Sequence, residues 1–199
     1  PNSDFFKKKS KEIGVAKNSL IIIYSSGVHY WATRLWWTFK YFNFHNVKIL
    51  NGGLQKWTAE KKHIETESNK MSPIQNPFNN IKENFSMVAD KKEVLSSIND
   101  PNVLLINALT KIQHSGLGGV NYGRKGHIQN SLNFPAEQNI NSDNLFKSKH
   151  LLKKIYRNVF KYKKVIAYCG GGIAASSTVF SLNRIGYQNV KIYDASLRE

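Results

Sequence analysis

The sequence predicts an α/β chain of two tandem domains, each a parallel sheet flanked by helices, with the first domain incomplete on its N-terminal side. Three observations carry this reading. Ser19-Leu20-Ile21-Ile22-Ile23-Tyr24 is a continuous apolar run of strand length, the pattern of a parallel strand buried on both faces. Strand-like and helix-like stretches alternate, as they do in βαβ units. The chain also repeats itself. Ile22-Ile23-Tyr24-Ser25-Ser26-Gly27, a helical stretch and Phe44-His45-Asn46-Val47-Lys48-Ile49 are matched in order by Ile166-Ala167-Tyr168-Cys169-Gly170-Gly171, a helical stretch and Tyr187-Gln188-Asn189-Val190-Lys191-Ile192. The offset is 144 at the strand and 143 after the helix, so one residue of slippage falls in between.

Each element follows from local pattern. Asp4 to Lys17 reads as an amphipathic helix closed by Gly14, and a Gly27 turn follows the first strand. His29 to Phe42 is an aromatic-rich helix, Val47 to Leu50 a second strand and Leu54 to Glu60 a helix after the Gly52-Gly53 break. Residues 61–84 hold Pro73, Pro77 and three Asn at 76, 79 and 80, and read as a linker between a first unit, 1–60, and a second, 85–199. In the second unit, Asp90 to Ile98 predicts a helix and Val103 to Ile106 a strand. Gly116 to Gly126 predicts a long loop, Ser131 to Pro135 an extended piece and Leu145 to Asn158 a helix. Val165 to Tyr168, Ile173 to Ile185 and Val190 to Tyr193 then form strand, helix and strand.

The repeat carries an expectation about length. The second copy has 84 residues between Phe85 and Cys169, whereas 24 precede Ser25, so about 60 residues of the first domain are expected to be missing from this chain. Ser196-Leu197-Arg198-Glu199 aligns with Gly53-Leu54-Gln55-Lys56, which stops the chain one residue before a counterpart of Trp57.

Composition narrows the function classes. In 199 residues, 41% hydrophobic and 12% aromatic side chains exclude a disordered chain. The 29 Lys plus Arg against 13 Asp plus Glu give a net charge of +16. Only Arg34, Arg124, Arg157, Arg184 and Arg198 are Arg, leaving 24 Lys spread along the chain with short clusters at 7–9 and 161–164. Base reading and bidentate phosphate contacts favour Arg, and no zinc-finger or RNA-binding-sheet motif is present. A solvated Lys-rich surface that helps gather small anions accounts for the charge without a nucleic-acid partner. A single Cys excludes an intramolecular disulfide framework. No apolar run reaches the roughly 18 residues of a membrane span. No targeting pattern opens the chain, and a free thiol suits a reducing cytoplasm.

The chemistry concentrates at Tyr168-Cys169-Gly170-Gly171-Gly172-Ile173-Ala174-Ala175-Ser176-Ser177. A buried strand ends at Cys169, three Gly permit a tight loop with inward N–H groups, and a helix N-terminus follows. Such a cradle favours an anionic thiolate or persulfide and needs no side chains to do so. Cys169 can alternatively be read as a small buried hydrophobe. The loop matches neither GxGxxG nor a P-loop ending in Gly-Lys. Ala175 stands six residues after the Cys, where a thiol phosphatase needs Arg. The six His, at 29, 45, 63, 114, 127 and 150, have no metal-ligand spacing, and no cofactor motif appears.

The duplicated βαβ pattern, the Cys loop and Gly123-Arg124-Lys125-Gly126-His127-Ile128 followed by Ser131-Leu132-Asn133-Phe134-Pro135 resemble two-domain rhodanese-type sulfurtransferases. The resemblance implies a catalytic second domain and a silent first one, where Ser25 replaces the Cys, with an active site between the two. It implies that Cys169 takes sulfur from an anionic donor, thiosulfate or 3-mercaptopyruvate. The persulfide would be held by N–H groups of Gly170, Gly171, Gly172, Ile173 and Ala174, and passed to cyanide or a thiol. Arg124 is the candidate for holding the donor, and His127 is expected to brace its loop. Thiosulfate-type loops carry basic residues just after the Cys, where this chain has Gly170 and Gly171, so the loop leans towards the mercaptopyruvate type. A catalytically silent binding module with the same fold is the alternative.

Overall fold

The computed structural model describes residues 1–67 and 81–199. It contains a two-stranded parallel sheet and a five-stranded one. Helix α1 (Ser3–Glu12) precedes strand β1 (Ile21–Ile23), helix α2 (Tyr30–Tyr41), strand β2 (Val47–Ile49) and helix α3 (Gly53–Ala59). The second unit runs β3 (Val88–Ala89), α4 (Lys91–Ser97), β4 (Val103–Asn107), α5 (Lys111–His114), β5 (Leu132–Asn133), α6 (Lys149–Ile155), β6 (Lys164–Tyr168), α7 (Ile173–Arg184) and β7 (Val190–Tyr193). Strands β1 and β2 pair in parallel, with Ile22 opposite Lys48. The larger sheet has the order β3-β7-β6-β4-β5, with every pairing parallel. Strand β4 is buried at every position and β6 at all but Lys164, as expected of strands covered on both faces.

The repeat is exact in the helices. Both α2 and α7 are 12 residues long and are offset by 143, which locates the slippage in the turn before the helix. The two helices pack against each other. Thr33 and Ser176, equivalent under the repeat, share a hydroxyl–hydroxyl hydrogen bond of 2.8 Å. Trp37 and Phe42 are fully buried in one hydrophobic cluster with Tyr156, Val165 and Leu182 of the second unit.

A buried polar chain joins the units beside these apolar contacts. His29 Nε2 lies 2.8 Å from Ser177 Oγ, which accepts from Asn139 Nδ2 at 3.0 Å. Asn139 Oδ1 accepts from the Tyr156 hydroxyl at 2.8 Å. Burial disfavours the imidazolium and pulls His29 down to about 4, while the Ala136 backbone opposes this in part.

Several boundaries differ from the sequence expectation. The first helix ends at Glu12, because Gly14 is left-handed with φ +75° and Val15 turns into the core. The stretch expected as a helix from 145 to 158 is divided. Phe146 bridges Ile140, Ser148 caps α6 with its side chain, and residues 157–161 form a 3-10 turn. Strand β3 and helix α5 were not expected; one is two residues long and the other a single turn closed by a capping box at Thr110 and Gln113. Of the expected linker, 68–80 lie outside the described residues. Its last residues are tied down, since Asn84 N–H donates to Tyr41 O at 2.8 Å and Asn43 Nδ2 to Lys82 O at 2.7 Å. Among the described residues no helix is long and apolar enough to cross a membrane.

The His29 chain makes the fold sensitive to acid. Its depressed value means that the unfolded chain takes up the proton first. Stability is therefore complete above about pH 6.5 and falls as the pH drops towards 4, by up to about 3 kcal/mol. Urea midpoints measured between pH 7 and 4.5 should fall less steeply for His29→Gln than for the parent chain. Equal slopes would remove His29 as the cause.

Candidate active site

Strand β6 delivers Cys169 to its C-terminal end, and the chain turns through Gly170–Gly172 into α7. The thiol is free and buried, with 3% of the residue exposed. One side chain organises this turn. Ser196 Oγ accepts from Cys169 N–H at 3.0 Å and Gly172 N–H at 3.2 Å, and donates to Tyr193 O at 2.7 Å. Leu197 N–H closes the turn on Cys169 O at 3.3 Å. The first copy keeps the backbone part of this device, because Leu54 N–H donates to Ser25 O at 2.9 Å. Gly53 and Ser196 are equivalent, and both have φ +57°. The second copy thus places a side chain in a conformation that favours glycine, where its hydroxyl holds the Cys loop.

The N–H groups expected to form the cradle differ in their partners. Gly172 N–H was expected to face the persulfide, but Ser196 Oγ takes it. Among the described residues no protein acceptor meets the N–H groups of Gly170 and Gly171. Those of Ile173 and Ala174 belong to the first turn of α7, which has no side-chain cap at Gly172. These groups and the positive end of the helix favour a negative charge at this turn.

Each loop glycine answers to a neighbour. A Cβ on Gly170 would lie 2.2–2.4 Å from the Tyr122 ring. One on Gly171 would lie 3.4 Å from Arg198 Cδ and Nε. Gly172, at φ +75°, would place a Cβ 2.5 Å from Asp194 Oδ1. Asp194 accepts from Arg34 Nη1 at 2.5 Å, and the same guanidinium nitrogen lies 3.5 Å from Gly172 O. Arg34 stacks 4.7 Å from the Trp37 ring and reaches across from the first unit, so α2 helps to seat the loop.

Cys169 opens into a cavity of about 280 Å³. Tyr30 and Trp31 of the first unit form one wall, Leu109 and Tyr122 another, and Arg198 is the charged residue lining it. Arg124 is not brought into this cavity. It lines an adjoining space of about 180 Å³ with Lys125, Asn121 and Gly118, which shares Leu109, Gln113 and Tyr122 with the Cys169 cavity. His127 braces its loop. Its Nδ1 bonds His114 O at 2.7 Å, and the two rings stack with centroids 3.8 Å apart. His114 is held below the usual imidazole range by burial and by His127. Among the described residues no group of His, Cys, Asp and Glu could hold a metal.

Ser196, Tyr122, Arg198, Arg34 and Asp194 escaped the sequence reading. Only Ser196 left a usable signal, as a Ser aligned with a left-handed Gly of the other copy.

The family model for the rhodanese-like domain matches residues 1–60 and 90–199. Among curated relatives, "Putative thiosulfate sulfurtransferase 1" of Mycobacterium bovis is 30% identical, over 98% of this chain and 72% of the relative. "Sulfur carrier protein TtuD" of Thermus thermophilus is 27% identical at the same coverage. Among solved structures, EanB in complex with ergothioneine superposes with a TM-score of 0.86 at 20% identity. The match covers 98% of this chain and 52% of that one, so this chain spans about half of EanB. At that identity the likeness speaks to the fold alone.

Removing the Ser196 hydroxyl should loosen the turn. Ser196→Ala leaves two buried N–H groups without an acceptor and keeps the backbone strain, for a loss of about 2 kcal/mol. Ser196→Gly relieves the strain and should lose less. Thermal melts and the rate of Cys169 alkylation measure both, and equal stability of all three proteins would show that the hydroxyl does not hold the loop.

Proposed function

The chain belongs to the rhodanese-like domain family, and from that membership we propose that it is a sulfurtransferase carrying sulfur as a persulfide on Cys169. The observation that carries the proposal is the Cys169 turn, where a thiol at the end of a buried strand meets backbone N–H groups without protein acceptors. Relatives named as thiosulfate sulfurtransferases support the reaction class.

The Cys169 thiolate attacks the transferable sulfur of an anionic donor. With thiosulfate, the S–S bond breaks and its electron pair leaves on sulfite. With 3-mercaptopyruvate, the C–S bond breaks and the carbon takes the thiol proton, giving pyruvate. Either way Cys169 becomes a persulfide anion. The N–H groups of Gly170, Gly171, Ile173 and Ala174 stabilise it, because they are held in place before the charge arrives. An acceptor, cyanide or a thiolate, then attacks the outer sulfur and leaves with it, returning the Cys169 thiolate. Two half-reactions through one covalent intermediate require ping-pong kinetics.

The remaining assignments follow the same reading. Residues 1–60 form a silent unit that supplies Tyr30, Trp31 and Arg34, 61–84 link the units, and 85–199 carry the nucleophile. Glycine at positions 170 and 171 leans the donor towards the mercaptopyruvate type, and a free thiol nucleophile fits a reducing compartment such as the cytoplasm.

Incubation with either donor should add one sulfur atom to the intact protein, and thiol reductant should remove it. Cys169→Ser should gain no sulfur. A chain that never gains the sulfur from either donor would leave the silent binding module as the better reading.

A further inference from the structure

Thiosulfate-type loops place a basic side chain directly after the Cys, whereas this loop has glycines there. The glycines leave room for two side chains that come from elsewhere. The Tyr122 ring lies over Gly170, and the Arg198 side chain lies over Gly171. We infer that Arg198, delivered by the turn after β7, anchors the anionic group of the sulfur donor. This rests on the sulfurtransferase reading and names the residue that determines donor binding in it.

Four observations converge on this role. Arg198 lines the Cys169 cavity, whose other walls come from Tyr30, Trp31, Leu109 and Tyr122. Its guanidinium carbon lies 5.7 Å from the Tyr122 ring centroid, which holds the fork beside the cavity. Among the described residues it is in no ion pair, so its charge is not cancelled by a carboxylate. The same turn carries Ser196 and Leu197, which bond the Cys169 loop directly. The cation and the nucleophile are therefore fixed to one short piece of backbone.

An Arg fork in a largely apolar cavity binds a carboxylate or sulfonate oxygen pair and leaves the donor sulfur free to face Cys169. Arg124 lines the adjoining space and is not among the residues lining the Cys169 cavity.

The test compares Arg198→Gln, Arg198→Lys and Arg124→Gln, with thiosulfate and 3-mercaptopyruvate as donors. Arg198→Gln should raise the donor KM at least about tenfold, since a charge-assisted contact is lost. Arg198→Lys should recover part of that loss. Added salt should raise KM in the parent chain and have little effect in Arg198→Gln. Intact mass separates loss of sulfur transfer from loss of donor anchoring. If no donor sulfurates Cys169 in the parent chain, the sulfurtransferase reading fails. If Cys169 is sulfurated but Arg198→Gln shifts the donor KM by less than twofold, or by less than Arg124→Gln does, the anchor is not Arg198.

Discussion

The Ser196 hydroxyl is the contact on which the Cys169 turn depends. It collects two backbone N–H groups of the loop and returns its own proton to Tyr193 O. Cys169 N–H and Gly172 N–H are satisfied in this way, and among the described residues the intervening N–H groups of Gly170 and Gly171 have no protein acceptor. Ser196 achieves this from a left-handed backbone conformation, at φ +57°. The first copy has Gly53 at the same place and Ser25 in place of the cysteine, so it keeps the turn without the Ser196 hydroxyl or the thiol.

The first unit contributes to the cavity although it has Ser25 where the second has Cys169. Helix α2 packs on α7, and from it Arg34 reaches Asp194 and the Gly172 carbonyl. Tyr30 and Trp31 complete the cavity wall. The His29 chain through Ser177 and Asn139 to Tyr156 lies at the same junction. The rigidity of the cysteine turn is thus partly a property of the junction between the two copies.

The central strands and the glycine turn after Cys169 were legible in the sequence because they rest on local pattern. Val103 to Ile106 and Val165 to Tyr168 are apolar runs that only a doubly covered strand explains, and the Cys-Gly-Gly-Gly run between strand and helix marks its own geometry. The parts that were not legible are contacts between distant positions. Arg124 stands beside the expected Gly-His-Ile motif, yet it lines the adjoining space and not the Cys169 cavity, which Arg198 enters from the far end of the chain. Nothing in local spacing shows that the glycines after Cys169 are matched to Tyr122 and Arg198. The division of the 145–158 stretch was also hidden, because Phe146 pairs with Ile140 in a bridge that helical periodicity does not register.

In the proposed function, this backbone turn holds a persulfide on Cys169. The most direct measurement is a crystal structure of donor-treated protein, collected without reductant. One additional sulfur is expected, bonded to Cys169 Sγ and lying within hydrogen-bond distance of N–H groups among Gly170, Gly171, Ile173 and Ala174, with Ser196 still bound to Cys169 and Gly172. An outer sulfur directed away from those groups, or a turn that rearranges and releases Ser196 to accept it, would contradict it.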